Sequence, residues 1–249
     1  MAFRESFDNA SILRYGENPH QEASLYKSTD NPYSLLNVEF LNGKPLSFNN
    51  IQDANSAINI LKEFTDPTVV ALKHMNPCGV GSSSNIVDAY QRAYQSDPVS
   101  IFGGIIALNR EVTLEVAKEM NKIFLEIIIA PSYQKEALEE LAKKKNLRVL
   151  ILDTNAPNTD INQTVTVNGG VLFQNLDSYL VSKDDLECVT NKQPSTNDLN
   201  ELYFSWKVVK HVKSNAIVIT KGTKTVGVGA GQMNRVGAAE IALKWAQDH

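Results

Sequence analysis

Between residues 68 and 153, short β-branched apolar runs alternate with longer amphipathic segments, and this alternation most constrains the fold. The runs have the length of strands, and the segments between them repeat apolar side chains at helical spacing. We assign strands to TVVAL, IFGGIIALN, EIIIAP and RVLILD, and helices to SSSNIVDAYQRAYQS, VTLEVAKEMNKIF and YQKEALEELAKKKN. This alternation predicts an α/β fold with a mostly parallel sheet covered by helices.

The flanking regions extend this pattern. A helix is expected after residue 50, with Asn49 or Asn50 as its N-cap, and TVNGGVLFQN is expected to form one strand with a glycine kink. Near the C-terminus we assign LNELYFSWKVVKHV to a helix, NAIVITKG and KTVGVGAG to a hairpin joined at Gly222, and QMNRVGAAEIALKWAQ to a final helix. The polar stretch between residues 175 and 200 predicts a domain boundary.

The predicted strand TVVAL delivers two titratable side chains, Lys73 and His74, to its C-terminal end. In open α/β sheets, ligands bind in the crevice beyond the carboxyl ends of the strands. A neutral imidazole there can take a proton, and an ammonium beside it can hold developing negative charge. The helix that follows is expected to turn its N-terminus, which attracts anions, toward the same crevice.

Two other segments are candidates for ligand contact. The polar stretch SILRYGENPHQ places Arg14 and Tyr15 in one loop, which either binds an anion or only crosses the surface. Gly103 and Gly104 fall inside a predicted strand, where glycine indicates a bulge or the close approach of a ligand.

Gly227, Gly229 and Gly231 lie between a predicted strand and a predicted helix, as the glycines of a dinucleotide-binding motif do. The spacing is G-x-G-x-G, and the acidic residue about twenty positions further on is Asp248, with no second strand for it to end. The sequence therefore disfavours that interpretation. Bare backbone beside Arg235 instead suits an anionic or planar ligand.

A zinc deaminase is the other interpretation that the sequence suggests, because Pro77 and Cys78 follow His74. Those enzymes use the motifs H-x-E and P-C-x-x-C. In this chain Asn76 replaces the glutamate and Gly81 replaces the second cysteine, so we expect no zinc and no other metal ligand set.

Composition excludes several classes of partner. The net charge of −4 offers no basic field for a nucleic-acid backbone, and Cys78 and Cys188 are too few for a disulfide framework. No apolar run approaches the roughly 20 residues of a membrane span, and the N-terminus lacks a signal-peptide core. We expect a soluble, cytoplasmic protein without nucleic-acid or membrane partners.

Six separated motifs occur together in this chain: LRYGENPHQ, NGKPLSFNNIQDAN, LKHMNPCG, SDPVSIFGG, WKVVKHVKSNAIV and VGVGAGQMNRV. In order and spacing they resemble AICAR transformylase, the formyl-transfer domain of bifunctional purine biosynthesis proteins. The resemblance covers essentially the whole chain. It implies two cytidine-deaminase-like α/β/α units in tandem, with residues 1–190 as the first unit and residues 191–249 as the start of an incomplete second unit.

The resemblance implies that 10-formyltetrahydrofolate gives its formyl group to the 5-amino group of AICAR, yielding FAICAR and tetrahydrofolate. The family's catalytic pair matches Lys73 and His74. His74 would take the proton of the attacking amine, and Lys73 would stabilise the oxyanion of the tetrahedral intermediate. The family's asparagine matches Asn215, which would hold the formyl oxygen or the histidine.

The same matching implies nucleotide contacts from Arg14, Tyr15, Asn50 and Arg235, and a folate pocket that includes Phe102, Gly103 and Val236. The resemblance further implies a homodimer with shared active sites, in which Arg14, Tyr15 and Arg235 come from the partner subunit. A potassium ion is often present in the family, but no motif here identifies its ligands.

Two departures from the family pattern suggest a fragment. The family's IMP cyclohydrolase domain is absent, and the family continues past the last residues of this chain into segments with D-A-F-F-P and R-H-F motifs. The alternative hypothesis is therefore a catalytically incomplete fragment that acts only as a folded dimerisation scaffold. A dinucleotide-binding oxidoreductase domain is a third hypothesis, which would require tight binding of NAD(H).

Overall fold

A computed structural model describes residues 8–27, 34–156, 162–179 and 181–248. The strands in these ranges are β1 (Asp8–Ile12), β2 (Ser24–Lys27), β3 (Glu39–Asn42), β4 (Thr68–Lys73), β5 (Asn76–Ser82), β6 (Ile105–Leu108), β7 (Ile127–Ala130), β8 (Arg148–Ile151), β9 (Asn162–Val167), β10 (Gly170–Asn175), β11 (Ile217–Thr220) and β12 (Thr225–Gly229). The α-helices are α1 (Phe48–Leu61), α2 (Ile86–Ser96), α3 (Leu114–Met120), α4 (Lys135–Leu141), α5 (Thr196–Val209) and α6 (Arg235–Asp248).

The central sheet has six strands in the order β3–β8–β7–β6–β4–β5. Helices cover it on both sides, so the predicted α/β class is confirmed. The prediction of a mostly parallel sheet is wrong, because only the β6–β7 and β7–β8 pairs are parallel and the other three pairs are antiparallel.

Strand β5 is the physical reason for this difference. The sequence pattern predicts no strand between TVVAL and the next helix, but this segment extends and pairs with β4, reversing the chain. The crossover through α2 then returns the chain parallel to β5 and antiparallel to β4. A Cβ on Gly79 would lie 2.0 Å from the Ala93 carbonyl oxygen, so glycine is what lets α2 pack this close to β5.

Alternating side chains of β4 enter two hydrophobic clusters on opposite faces of the sheet. Val69 and Ala71 pack in a cluster with residues of α2, α3 and α4. Val70 and Leu72 pack in a second cluster with residues of α1 and α5. The result is a three-layer α/β/α arrangement in which β4 is buried on both faces, and it explains why its sequence is continuously apolar.

The C-terminal segment packs on the same core. Phe204 and Val208 of α5 belong to the cluster that contains α1, and the Val80 N–H donates to Thr225 Oγ1 of β12 at 2.9 Å. The element order α1–β4–β5–α2 recurs as α5–β11–β12–α6. This recurrence agrees with tandem units, while the division at residues 190 and 191 stays a prediction.

Several local predictions need correction. TVNGGVLFQN does not form one kinked strand, because Asn168-Gly169 turns the chain and β9 pairs with β10. The strand predicted over 101–109 begins only at Ile105, so Gly103 and Gly104 precede it. The N-cap of α1 is Ser47 rather than Asn49 or Asn50. None of the helices in the described ranges is long and apolar enough to cross a membrane.

Candidate active site

The largest cavity near the Lys73-His74 pair, about 830 Å³, opens where β4 ends. Because β4 runs antiparallel to β6, its carboxyl end lies beside the amino ends of β6, β7 and β8. Gly103, Glu126 and Arg148 stand at or just before those amino ends and line the cavity. The site therefore combines one strand's carboxyl end with three amino ends, which a parallel sheet would not bring together.

A two-residue connection, His74-Met75, joins β4 to β5, with Lys73 paired opposite Asn76. The φ angles of His74 and Met75 are 52° and 58°, as in a type I′ hairpin turn. Left-handed backbone costs a non-glycine residue roughly 1–3 kcal/mol, and such strain clusters at functional sites. The backbone that carries His74 therefore needs support from its surroundings.

That support comes from Asp53, which the sequence analysis did not single out. Its Oδ1 accepts the Met75 N–H at 2.8 Å and its Oδ2 accepts the His74 N–H at 3.3 Å. Burial raises the pKa of Asp53 above its usual value, although the two N–H groups act in the opposite direction. The residue lies one helical turn after Asn50 on α1, so one helix face carries both side chains to the cavity.

Lys73 is half-buried, and its Nζ donates to the carbonyl oxygen of Phe102 at 2.9 Å. Gly103 follows with a φ of 74°, which favours glycine. The exposed Phe102 ring packs against Phe124 with a centroid distance of 5.6 Å. These contacts fix the ammonium at the cavity wall beside a bare backbone and an aromatic pair.

Asn50 is buried and links the helix start to the cavity. Its Nδ2 donates to Glu126 Oε2 at 2.8 Å, and its Oδ1 accepts the Ser47 N–H as part of a capping box. Glu126 is also 4.0 Å from Arg148. Sequence reasoning missed Glu126, whose only signal was its position as the first residue of the predicted strand EIIIAP.

The loop that contains Arg14 and Tyr15 lies over the same cavity and lines it. Asn49 Nδ2 donates to the Glu17 carbonyl at 3.1 Å, which ties the loop to the start of α1. The Arg14 guanidinium lies 5.6 Å from the Tyr15 ring centroid. Arg14 and Tyr15 therefore line the same cavity as Lys73 and His74 of their own chain. That a partner subunit contributes Arg14 and Tyr15 to the site stays a prediction.

Four of the expected site residues do not line this cavity: Phe102, Asn215, Arg235 and Val236. Asn215 binds the Gln232 carbonyl through its side chain. Its segment still approaches the turn, because the Lys213 N–H donates to Asn76 Oδ1 at 3.3 Å. Arg235 and Val236 are exposed at the start of α6. Their assignment to substrate pockets stays a prediction.

A second cavity of about 310 Å³ also borders the Lys73-His74 pair. Residues of β12 and α6 line it as well, and its lining includes Asp97, Gly227 and Trp245. Lys73 and His74 therefore line both cavities. A group bound in either one can reach them.

The helix N-terminus at this site is not the expected one. Ser82, which precedes α2, pairs with Thr68 at the beginning of β4. The helix α2 therefore starts near the end of β4 that is opposite to Lys73. The extra strand β5 carries the chain away from the crevice before α2 begins. The start of α1, through Ser47 and Asn50, lines the cavity instead.

The glycines of β12 have a packing role. A Cβ on Gly227 would lie 2.1 Å from the Ala242 carbonyl oxygen, and a Cβ on Gly229 would lie 2.0 Å from the Ala238 carbonyl oxygen. Both glycines are needed for α6 to lie close on β12. Their spacing therefore has a structural cause that does not involve a dinucleotide.

In the parts of the chain that the structure describes, no group of three or more His, Cys, Asp or Glu side chains is arranged to hold a metal ion. Burial raises the pKa of the Cys78 thiol to about 12, with the Asp97 charge adding to the effect, so the protonated thiol is favoured. The potassium ion implied by the resemblance has no assigned ligands and stays a prediction.

The fold and the cavity define an α/β protein with a polar site that brings together an imidazole, three ammonium groups, two guanidiniums and two carboxylates. The chain matches the model of the AICARFT/IMPCHase bienzyme family over residues 1–245. It belongs to that family.

Curated relatives extend the match. The chain is 54% identical over 248 residues to the bifunctional purine biosynthesis protein PurH of Oceanobacillus iheyensis, covering 99% of this chain and 49% of the relative. It is 52% identical to the PurH proteins of Bacillus cytotoxicus and Anoxybacillus flavithermus, covering 97% and 98% of this chain and 47% and 48% of those relatives. The chain thus spans about half the length of the curated relatives it matches.

Proposed function

We propose that this chain binds AICAR and 10-formyltetrahydrofolate and transfers the formyl group to the 5-amino group of AICAR, as a step of cytoplasmic purine biosynthesis. The observation that carries the proposal is the position of Lys73 and His74, which face one cavity with Arg14, Tyr15 and Asn50. Membership of the AICARFT/IMPCHase family supports this reaction over others that a base and a cation could catalyse.

In the proposed complex, Arg14 binds the ribotide phosphate, since a guanidinium can make two parallel hydrogen bonds to it. Tyr15, Asn50 and Arg235 make further contacts to the nucleotide. Phe102, Gly103 and Val236 contribute to the folate pocket. The exposed Phe102–Phe124 pair beside Lys73 supports this placement, because it offers an apolar surface to a planar ring.

The chemistry follows from the two groups at the end of β4. The 5-amino nitrogen of AICAR attacks the formyl carbon, and the neutral His74 imidazole accepts the proton that this nitrogen loses. The Lys73 ammonium stabilises the oxyanion of the tetrahedral intermediate. The bond from the formyl carbon to N10 then breaks, and N10 leaves with a proton returned from the imidazolium, giving FAICAR and tetrahydrofolate.

We also propose a homodimer with shared sites. Arg235 and Val236 are exposed and lie outside the cavity that their own chain forms. That placement suits residues which complete the site of a second copy. Asn215 would act near the same site through the segment that contacts Asn76.

The test measures AICAR binding by calorimetry and formyl transfer by the formation of tetrahydrofolate. We expect AICAR to bind, and Lys73→Ala and His74→Ala each to lower the transfer rate by about 100-fold or more while the fold is retained. Lys122→Ala is the control, because the exposed Lys122 forms a salt bridge with Glu119 and is not among the residues that line the cavity. Wild-type rates in both site variants would refute the mechanism.

A second candidate function is a folded module that binds without transferring a formyl group. It is favoured by the exposure of Arg235 and Val236 away from the cavity. AICAR binding without any transfer by the wild-type chain, in the presence of 10-formyltetrahydrofolate, would support this candidate over the first.

A further inference from the structure

We propose, on the basis of the function proposed above, that Asp53 is a positioning residue for His74. Its carboxylate holds the left-handed His74-Met75 turn and so fixes the direction in which the imidazole meets the reacting amine. The residue acts through the backbone of the turn and has no chemical step of its own.

Side-chain packing and strand pairing restrain the His74-Met75 turn only weakly. His74 is exposed and Met75 is 46% exposed, so side-chain packing does not fix their backbone. The strand pairing ends at Lys73 and Asn76. Neither residue is a glycine, although both have φ angles in the left-handed region.

The Asp53 carboxylate meets this need with two acceptors. One oxygen accepts the Met75 N–H at 2.8 Å and the other accepts the His74 N–H at 3.3 Å. The carbonyl of His74 accepts a hydrogen bond from Asn76 Nδ2 at 3.1 Å. The backbone of His74 is therefore fixed at both its donor and its acceptor, and the donor side depends on Asp53.

The location of Asp53 on α1 adds a further consequence. Asn50, the expected nucleotide contact, lies one turn earlier on the same helix. The helix that would bind the nucleotide thus also holds the turn that carries the base. A rigid helix between the two sets the distance from the bound amine to the imidazole, and such placement has a large effect on rate.

The experiment compares Asp53→Asn, Met75→Gly and the double variant with the wild-type chain. Asparagine keeps the size of the side chain and one carbonyl acceptor but loses the second acceptor. Glycine at position 75 adopts the left-handed conformation without strain, so the turn should keep its conformation with fewer hydrogen bonds to Asp53. We measure kcat and KM for formyl transfer, and the hydrogen-exchange rates of the His74 and Met75 amides without substrate.

We expect Asp53→Asn to lower kcat about 10- to 100-fold, to change KM for AICAR by less than about threefold, and to speed exchange of both amides. Met75→Gly should transfer formyl groups at near the wild-type rate. Added to Asp53→Asn, it should recover much of the lost kcat. A residue that contacted the substrate or moved a proton would not be rescued by glycine at position 75.

Three results would overturn the proposal: a wild-type kcat in Asp53→Asn, unchanged amide exchange in that variant, or a loss of kcat that Met75→Gly does not reduce. If the wild-type chain itself transfers no formyl group, the proposed function fails. Amide exchange then decides the role of Asp53 alone, and unchanged protection of His74 and Met75 would refute it.

Discussion

A buried charge cluster joins the end of α1 to the segment that follows α5. Glu63, at the C-terminal side of α1, accepts Lys210 Nζ at 2.9 Å and lies 2.8 Å from His211 Nε2. Burial alone would raise the pKa of Glu63, but the hydrogen bonds from His211 and Lys210 outweigh it and lower the pKa. The helix predicted over LNELYFSWKVVKHV ends at Val209, so His211 lies just beyond the end of α5 and contacts this carboxylate.

The first prediction concerns this carboxylate. Glu63→Gln should lower the free energy of unfolding at pH 7 by about 1–3 kcal/mol, because Lys210 loses a buried charged partner. A carboxyl with a lowered folded-state pKa stabilises the fold above its unfolded-state pKa, and that contribution is lost as the pH falls through the folded-state value. The difference in the free energy of unfolding between the wild-type chain and Glu63→Gln should therefore become smaller as the pH is lowered.

Urea unfolding at several pH values measures this gap. Glu119→Gln serves as the control, since its partner Lys122 is largely exposed and such pairs contribute about 0–1 kcal/mol. An equal loss in both variants, or a gap that stays constant in acid, would contradict the assignment of the stabilisation to the Glu63 cluster.

At the level of elements, close packing of helices on strands explains the glycine pairs. Gly79 and Gly81 lie under α2, as Gly227 and Gly229 lie under α6, and in each pair the backbone of the helix occupies the space of the missing Cβ. The sequence showed the G-x-G pattern but not its cause. The neighbouring helix carbonyls are set by tertiary packing, so the pattern alone left a ligand-binding interpretation open.

The second prediction follows from this packing. Gly229→Ala should destabilise the chain by about 1–3 kcal/mol, because the added methyl group would meet the Ala238 carbonyl and push α6 away. Gly170→Ala is a matched control at the start of another strand, with nothing within 4 Å of its Cβ. The two urea midpoints decide the matter, and a Gly229 variant as stable as the control would show that α6 does not pack as described.

For the whole molecule, the shared hydrophobic cluster implies a single cooperative unit. Phe204, Val208 and Val212 of the C-terminal segment pack with α1 and with β4 side chains such as Leu72. Phe204 lies 5.3 Å from Phe64 between ring centroids. The residues predicted to start a second unit therefore share their core with the first.

The third prediction tests this coupling. Both tryptophans, Trp206 and Trp245, lie in the C-terminal segment, so fluorescence reports on that segment while circular dichroism reports on all helices. We expect the two urea transitions to coincide. Phe204→Ala should shift both by the same amount, with a loss of about 3–5 kcal/mol. Separate midpoints would show that the units unfold independently.

The sequence alone determined the helices, the buried strands β4, β7 and β8, and one strand-end pair. The apolar run before Lys73 is continuous and bounded by Asn76-Pro77, and β4 forms there as predicted. The helical segments were equally recognisable, since their periodicity is a property of neighbouring residues. The six motifs identified the family for the same reason, because they are local patterns of residue types.

Only the tertiary structure decided the direction of the strands and the composition of the site. Asn76–Ser82 pairs with β4, and α2 packs closely on it at Gly79, through contacts that sequence periodicity does not show. That pairing reverses the sheet and places α1, rather than α2, at the cavity. Asp53 and Glu126 join Lys73 and His74 through contacts between residues far apart in the chain, and such contacts leave no periodic signal in the sequence.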